Sequence, residues 1–122
     1  MVDEMQIQTY LKLNRDSGRV NFTEQPSKLN ITQAGSEYTE GIMTVGTTTH
    51  VAITLGAVGT PGPSYFRNLD TTNTIQIGTD NSGTFVPAVN LPATEFCLHR
   101  PVTPYVKSAV ATTRLQYIIV ET

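Results

Sequence analysis

The chain has 122 residues, with ten acidic and eight basic side chains and a net charge of −2. That length suits one domain with a core of useful size and is short for two. The basic residues are dispersed, which removes the phosphate-tracking footprint expected of a nucleic-acid binder, and no run is long enough to span a membrane.

The start, MVDEMQIQ, carries Asp3 and Glu4 where a secretion signal would be basic and then apolar. Cys97 is the single cysteine, so no disulfide can close within the chain. Together these features describe a soluble protein made in a reducing cytoplasm. Thr fills about a sixth of the positions, and Val and Ile are frequent. Side chains branched at Cβ fit a pleated, half-buried surface better than a helix, so the composition points to an all-β fold.

No segment keeps helical periodicity over three turns; short alternation ended by turn residues recurs instead. Met5, Ile7, Leu11 and Leu13 fall on one face of a first strand, and residues 14–18 turn the chain. Arg19 to Thr23 and Lys28 to Thr32 read as two short strands parted by Pro26. Residues 38–46 read as a strand interrupted by Gly41. Val51, Ile53 and Leu55 alternate up to Gly56, and Gly59-Thr60-Pro61-Gly62-Pro63 reads as a stiff loop.

YFRNLDTTNTIQIG, at 65–78, reads as a hairpin with the loop Thr71-Thr72-Asn73 and Asn73 in the left-handed region. That register sets Leu69 opposite Ile75 and Arg67 opposite Ile77, with Asn68 and Gln76 facing out. Asp80-Asn81-Ser82-Gly83 is a polar turn, and Pro87 marks Thr84 to Leu91 as an edge or a bulge. Glu95 to His99, Tyr105 to Val110 and Arg114 to Glu121 follow. The last contains LQYIIV, apolar on both faces and therefore expected in the middle of a sheet. Eight to ten short antiparallel strands at this spacing predict a single-domain β-sandwich over 1–122, jelly-roll-like in topology. An immunoglobulin-like sandwich ranks second, because Trp is absent and there is no cysteine pair.

Candidate chemistry is sparse. Cys97 and His99 share a strand face, which suits a buried thiol beside an edge imidazole better than a nucleophile and its base. The 80–83 segment offers oxygen ligands but lacks the spacing and distal Glu of a calcium loop. Gly59 to Gly62 has no following Lys or helix to make a phosphate cradle. Glu37, Glu40, Glu95 and Glu121 are scattered, and Tyr38, Tyr65, Tyr105 and Tyr117 could line a sugar-binding surface or a core edge. No catalytic, metal or cofactor residue is assigned. Met5, Ile7, Leu11 and Leu13 read first as an ordinary core strand. The other reading is an interface arm within 1–40 that pairs with a neighbouring subunit's sheet edge.

TVGTTTHVAITLGAVGTPG, YFRNLDTTNTIQIGTDNSGTF and the terminal RLQYIIVET occur in that order between Thr44 and Thr122. This segment resembles the small β-sandwich virion proteins of tailed bacteriophages. At Pro92-Ala93-Thr94-Glu95 the chain departs from the resemblance, since related proteins often carry Ala-Gly-Glu there. The resemblance implies a capsid decoration, or cement, protein on the outer surface of the head, made in the bacterial host cytoplasm. Its partners would be the major capsid protein of the same phage and further copies of itself, as a dimer or trimer. A neck, baseplate or fibre-tip component is a second expectation, and a carbohydrate-binding host-attachment sandwich a third.

Overall fold

The computed structural model describes residues 5–15, 20–24, 29–32, 35 and 37–122. Its strands are β1 (Met5–Ile7), β2 (Leu11–Arg15), β3 (Val20–Glu24), β4 (Leu29–Ile31), β5 (Tyr38–Val45) and β6 (Val51–Ala52). They continue with β7 (Pro61–Asn68), β8 (Ile75–Asn81), β9 (Thr84–Leu91), β10 (Phe96–His99), β11 (Tyr105–Ser108) and β12 (Thr113–Glu121). No helix occurs among the described residues, and every strand pairing is antiparallel. The chain divides into two compact units, Met1–Ala34 and Gly35–Thr122.

Within Gly35–Thr122, one four-stranded sheet has the order β10-β7-β12-β5 and the other β6-β11-β8-β9. The pairings are nested. β8 pairs with β9, β7 with β10, β6 with β11 and β5 with β12. This is one long hairpin of eight strands rolled up so that β7 also meets β12 and β8 also meets β11. The result is a jelly roll, the expected topology. Its core lies between the sheets: Val45, Phe66, Leu115 and Ile119 from one, and Ile75, Ile77, Leu91 and Val106 from the other, closed by Ile53 and Val58.

The apolar last strand, β12, sits between β7 and β5 as expected, with Leu115 and Ile119 in the core. β9 is an edge strand, and its Pro87 lies opposite Gly78 beside a register shift. The β8–β9 connection is a two-residue turn, Ser82 (φ 52°) and Gly83 (φ 87°), whose left-handed pair matches the strand twist. Residues 38–45 run unbroken through Gly41, where a Cβ would lie 2.9 Å from the Tyr117 hydroxyl oxygen.

Two local expectations are overturned. First, the stretch 65–78 is not a hairpin, because β7 and β8 belong to different sheets and the segment between them crosses the sandwich. Asn73 is not among the residues with positive φ. Asn68 faces in, fully buried, while Arg67 is exposed. Second, Pro61-Gly62-Pro63 begins β7 instead of forming a loop. β10 reaches back only to Ser64, so this end of β7 has β12 as its one neighbour, a setting that tolerates the missing proline donors.

In the Met1–Ala34 unit, β1 pairs with β4 and β2 with β3, each a two-stranded sheet. The register slips by one residue between the two pairs. The expectation of one strand running from Met5 to Leu13 is corrected: the segment holds two strands, β1 and β2, with separate partners. Met5 and Ile7 are half-buried and Leu11 is 59% exposed, and none belongs to the core cluster. The physical reason is pairing choice: β1 finds its partner in β4, within the first 34 residues.

Candidate interaction surface

The N-terminal candidates are partly brought together. Met5 has Ile31 as its Cα partner and Ile7 has Leu29, so four apolar side chains share one face of β1–β4, with Gln6 and Asn30 on the other. Leu29 and Ile31, which the sequence reading placed in a short strand without a site role, complete that face. Leu11 lies in the next strand pair, beyond the register slip, and is exposed. Leu13 pairs with Phe22 along the backbone, and its side chain lies outside the described residues.

A larger surface is the outer face of the β10-β7-β12-β5 sheet. Along β5, Tyr38, Glu40, Ile42 and Thr44 point outward, alternating with covered residues. The register carries that face across β12 at Ile118 and Gln116, β7 at Tyr65 and Arg67, and β10 at Leu98 and Phe96. Tyr38 is 62%, Ile42 60%, Phe96 64% and Leu98 43% exposed. The rings of Tyr65 and Phe96 stack at 5.9 Å and 28°. Alternation alone identified these strands but did not say which face would be left open. That depends on the roll-up, which fixes the inner face through Phe66, Leu115 and Ile119.

The polar groups mostly serve the turns. Asn68 donates through Nδ2 to the carbonyls of Asn73 (2.8 Å) and Leu91 (3.0 Å), and its Oδ1 accepts from the Asp70 amide (2.9 Å). Asp70 Oδ1 then accepts from the amides of Asn73 (2.6 Å) and Thr72 (2.7 Å). Those backbone donors, Asn73 first, hold the Asp70 carboxyl below its ordinary value. The polar stretch that opens this crossing is thus a self-bonded bend. Its buried member, Asn68, braces β9 against β7.

On the outside of the other sheet, His50 Nε2 lies 2.6 Å from Asp80 Oδ1, with the His50 ring stacked on Phe85 at 5.5 Å and tilted against Tyr105 at 5.4 Å. Asp80 is lowered by that imidazole first and by the Gly83 amide second. This cluster ties the segment after β5 to the β8–β9 turn. No sequence spacing announced it, because His50 and Asp80 are thirty positions apart.

The remaining sequence candidates do not converge. Cys97 pairs along the backbone with Phe66, and burial pushes its thiol above the ordinary value, the direction opposite to nucleophile activation. Tyr117 packs against the core and Tyr105 against His50, so the four tyrosines do not share a surface. Glu37 and Glu121 are neighbours. Glu121 Oε2 accepts from the Glu37 amide and Oε1 from the Gly59 amide, which ties the end of β12 to both segments. Among the described residues no three His, Cys, Asp or Glu side chains gather as a metal site. Compared with protein-family models and with curated proteins, the chain matches none.

Proposed function

We propose that the chain is a capsid decoration protein of a tailed bacteriophage, a small jelly-roll subunit that stabilises the head by bridging major capsid subunits. The observation that carries this reading is the open apolar face of the β10-β7-β12-β5 sheet, with Tyr38, Ile42, Phe96 and Leu98 all exposed. On that face Tyr38 and Ile42 of β5 and Phe96 and Leu98 of β10 are joined across the middle by the half-buried Ile118 and Tyr65. Exposed apolar side chains gathered on one face mark a contact surface more often than a bare exterior. The resemblance over Thr44–Thr122 supports the same role, and jelly rolls are common in viral capsids. The work done is mechanical: weak contacts at each subunit are multiplied by the symmetry of the shell. The test is the copy number of the chain in purified particles, measured by quantitative mass spectrometry against the major capsid protein. A simple ratio amounting to hundreds of copies supports decoration. A handful of copies removes it and favours a neck, baseplate or fibre-tip position.

The stacked Tyr65–Phe96 pair favours a second reading, a carbohydrate-binding sandwich used in host attachment, because exposed aromatic rings pack against sugar faces. Saturable binding of host glycans by the isolated protein, lost on Phe96→Ala, would support it. No binding at millimolar glycan concentration removes it.

A further inference from the structure

Of the four sheet edges in the Gly35–Thr122 sandwich, three are guarded. β6 is two residues long and β10 four, and β9 carries Pro87 beside a register shift. β5 is different. It keeps eight consecutive partners on β12 without a register shift, and it contains no Pro, Lys or Arg. The Glu121 amide donates to the Glu37 carbonyl at 3.0 Å, which sets the phase of this antiparallel ladder. Bonded and non-bonded pairs alternate, so Thr39, Gly41, Met43 and Val45 turn their backbone groups toward β12. Tyr38, Glu40, Ile42 and Thr44 therefore present their N–H and C=O groups to the open side of the sheet.

We propose that β5 is a dimerisation edge that pairs antiparallel with β5 of a second copy, about a two-fold axis at Gly41. The self-complementarity of the strand selects this occupant. In one register all four outward residues find a partner: Tyr38 meets the partner's Thr44, and Glu40 meets the partner's Ile42. The two copies of Glu40 are then never directly opposed. At the axis, a non-bonded pair brings the two chains closest, to about 4.5 Å between Cα atoms. Glycine is the residue there, so no side chains collide. The pairing also covers Tyr38 and Ile42, which are 62% and 60% exposed in the single chain. It joins two four-stranded sheets into one of eight strands, with the same contact made twice as a two-fold requires.

This deepens the reading of a self-associating shell protein, but its test needs no particles. A monomer would overturn the β5 contact and leave the copy-number test standing. The first measurement is the solution mass of the full chain by sedimentation, with a dimer expected. Ile42→Glu sets like charges against the partner's Glu40 twice and should weaken the dimer about tenfold, whereas Ile42→Lys should hold or tighten it. Hydrogen exchange on the unmodified protein supplies a readout independent of any variant: the Tyr38, Glu40, Ile42 and Thr44 amides should exchange slowly. A monomer at about 100 µM overturns the proposal, and so does an oligomer with an odd number of subunits. Fast exchange at those four amides, or equal weakening by both substitutions, does the same.

Discussion

Thr94 is held at φ +66°, a left-handed conformation that a Cβ-branched residue rarely adopts. The Glu95 amide donates to the Pro92 carbonyl at 3.2 Å, so Thr94 is the third residue of a tight turn whose geometry there favours glycine. The Thr94 amide also donates to the Asp70 carbonyl at 3.0 Å, which locks the turn to the β7–β8 crossing and keeps the residue in place. Thr94→Gly should therefore stabilise the protein by about 1 kcal/mol, read as a higher urea midpoint; an unchanged or lower midpoint would refute the strain. Asp70 belongs to the same neighbourhood and gives a pH signature. Its folded pKa is lowered, so its contribution is present above the unfolded value, about 3.9, and is lost as pH falls through the folded value. Asp70→Asn retains a side-chain oxygen for the turn but cannot titrate. Its stability should fall less steeply than that of the parent protein between about pH 4 and pH 2. Parallel acid limbs in urea unfolding would sink that account.

Among the elements, β8 and β9 show where a strand depends on a single residue. A Cβ at Gly78 would lie 2.0 Å from the Val86 carbonyl oxygen and 2.8 Å from the Pro87 Cα, both backbone atoms that cannot swing away. Gly78→Ala should cost about 2 kcal/mol, because the bulge opposite Pro87 must open to admit a methyl group. A loss below half that in chemical denaturation would show the bulge to be compliant. The edge position of β9, the central position of β12 and the turn at 80–83 were legible in the sequence, because proline, a doubly apolar run and a polar Gly-ended turn each act locally. The β7–β8 crossing was not. Reading Leu69 and Arg67 as inward put the parity of β7 off by one, and Phe66, buried together with Ser64 and Asn68, shows the true phase. Local alternation also looks the same whether the next strand pairs alongside or crosses to the facing sheet. The outer apolar face was equally hidden, since its strands come from four separated parts of the chain.

For the whole molecule, the core cluster among the described residues runs from Val45 to Ile119, all of it within the Gly35–Thr122 unit. A protein of residues 35–122 should keep the sandwich and melt within about 5 °C of the full chain. A much larger drop in a calorimetric scan would mean that the N-terminal strands support the core. A two-stranded sheet has little stability of its own in water, so the β1–β4 and β2–β3 pairs have more to gain from a surface that covers them. The nested pairing also dictates an order of events during synthesis. Residues 38 and 120 are backbone partners, and the strand between β5 and β7 is the last of the sandwich's eight to be made. Until residues 113–121 leave the ribosome, β5 has no neighbour in its sheet and Phe66 lacks the Leu115 and Ile119 side of its core. The nascent sandwich thus stays open until β12 has emerged and then closes in one step. Refolding of the released protein should then be slow for its size, in the millisecond-to-second range typical of folds built on distant pairings.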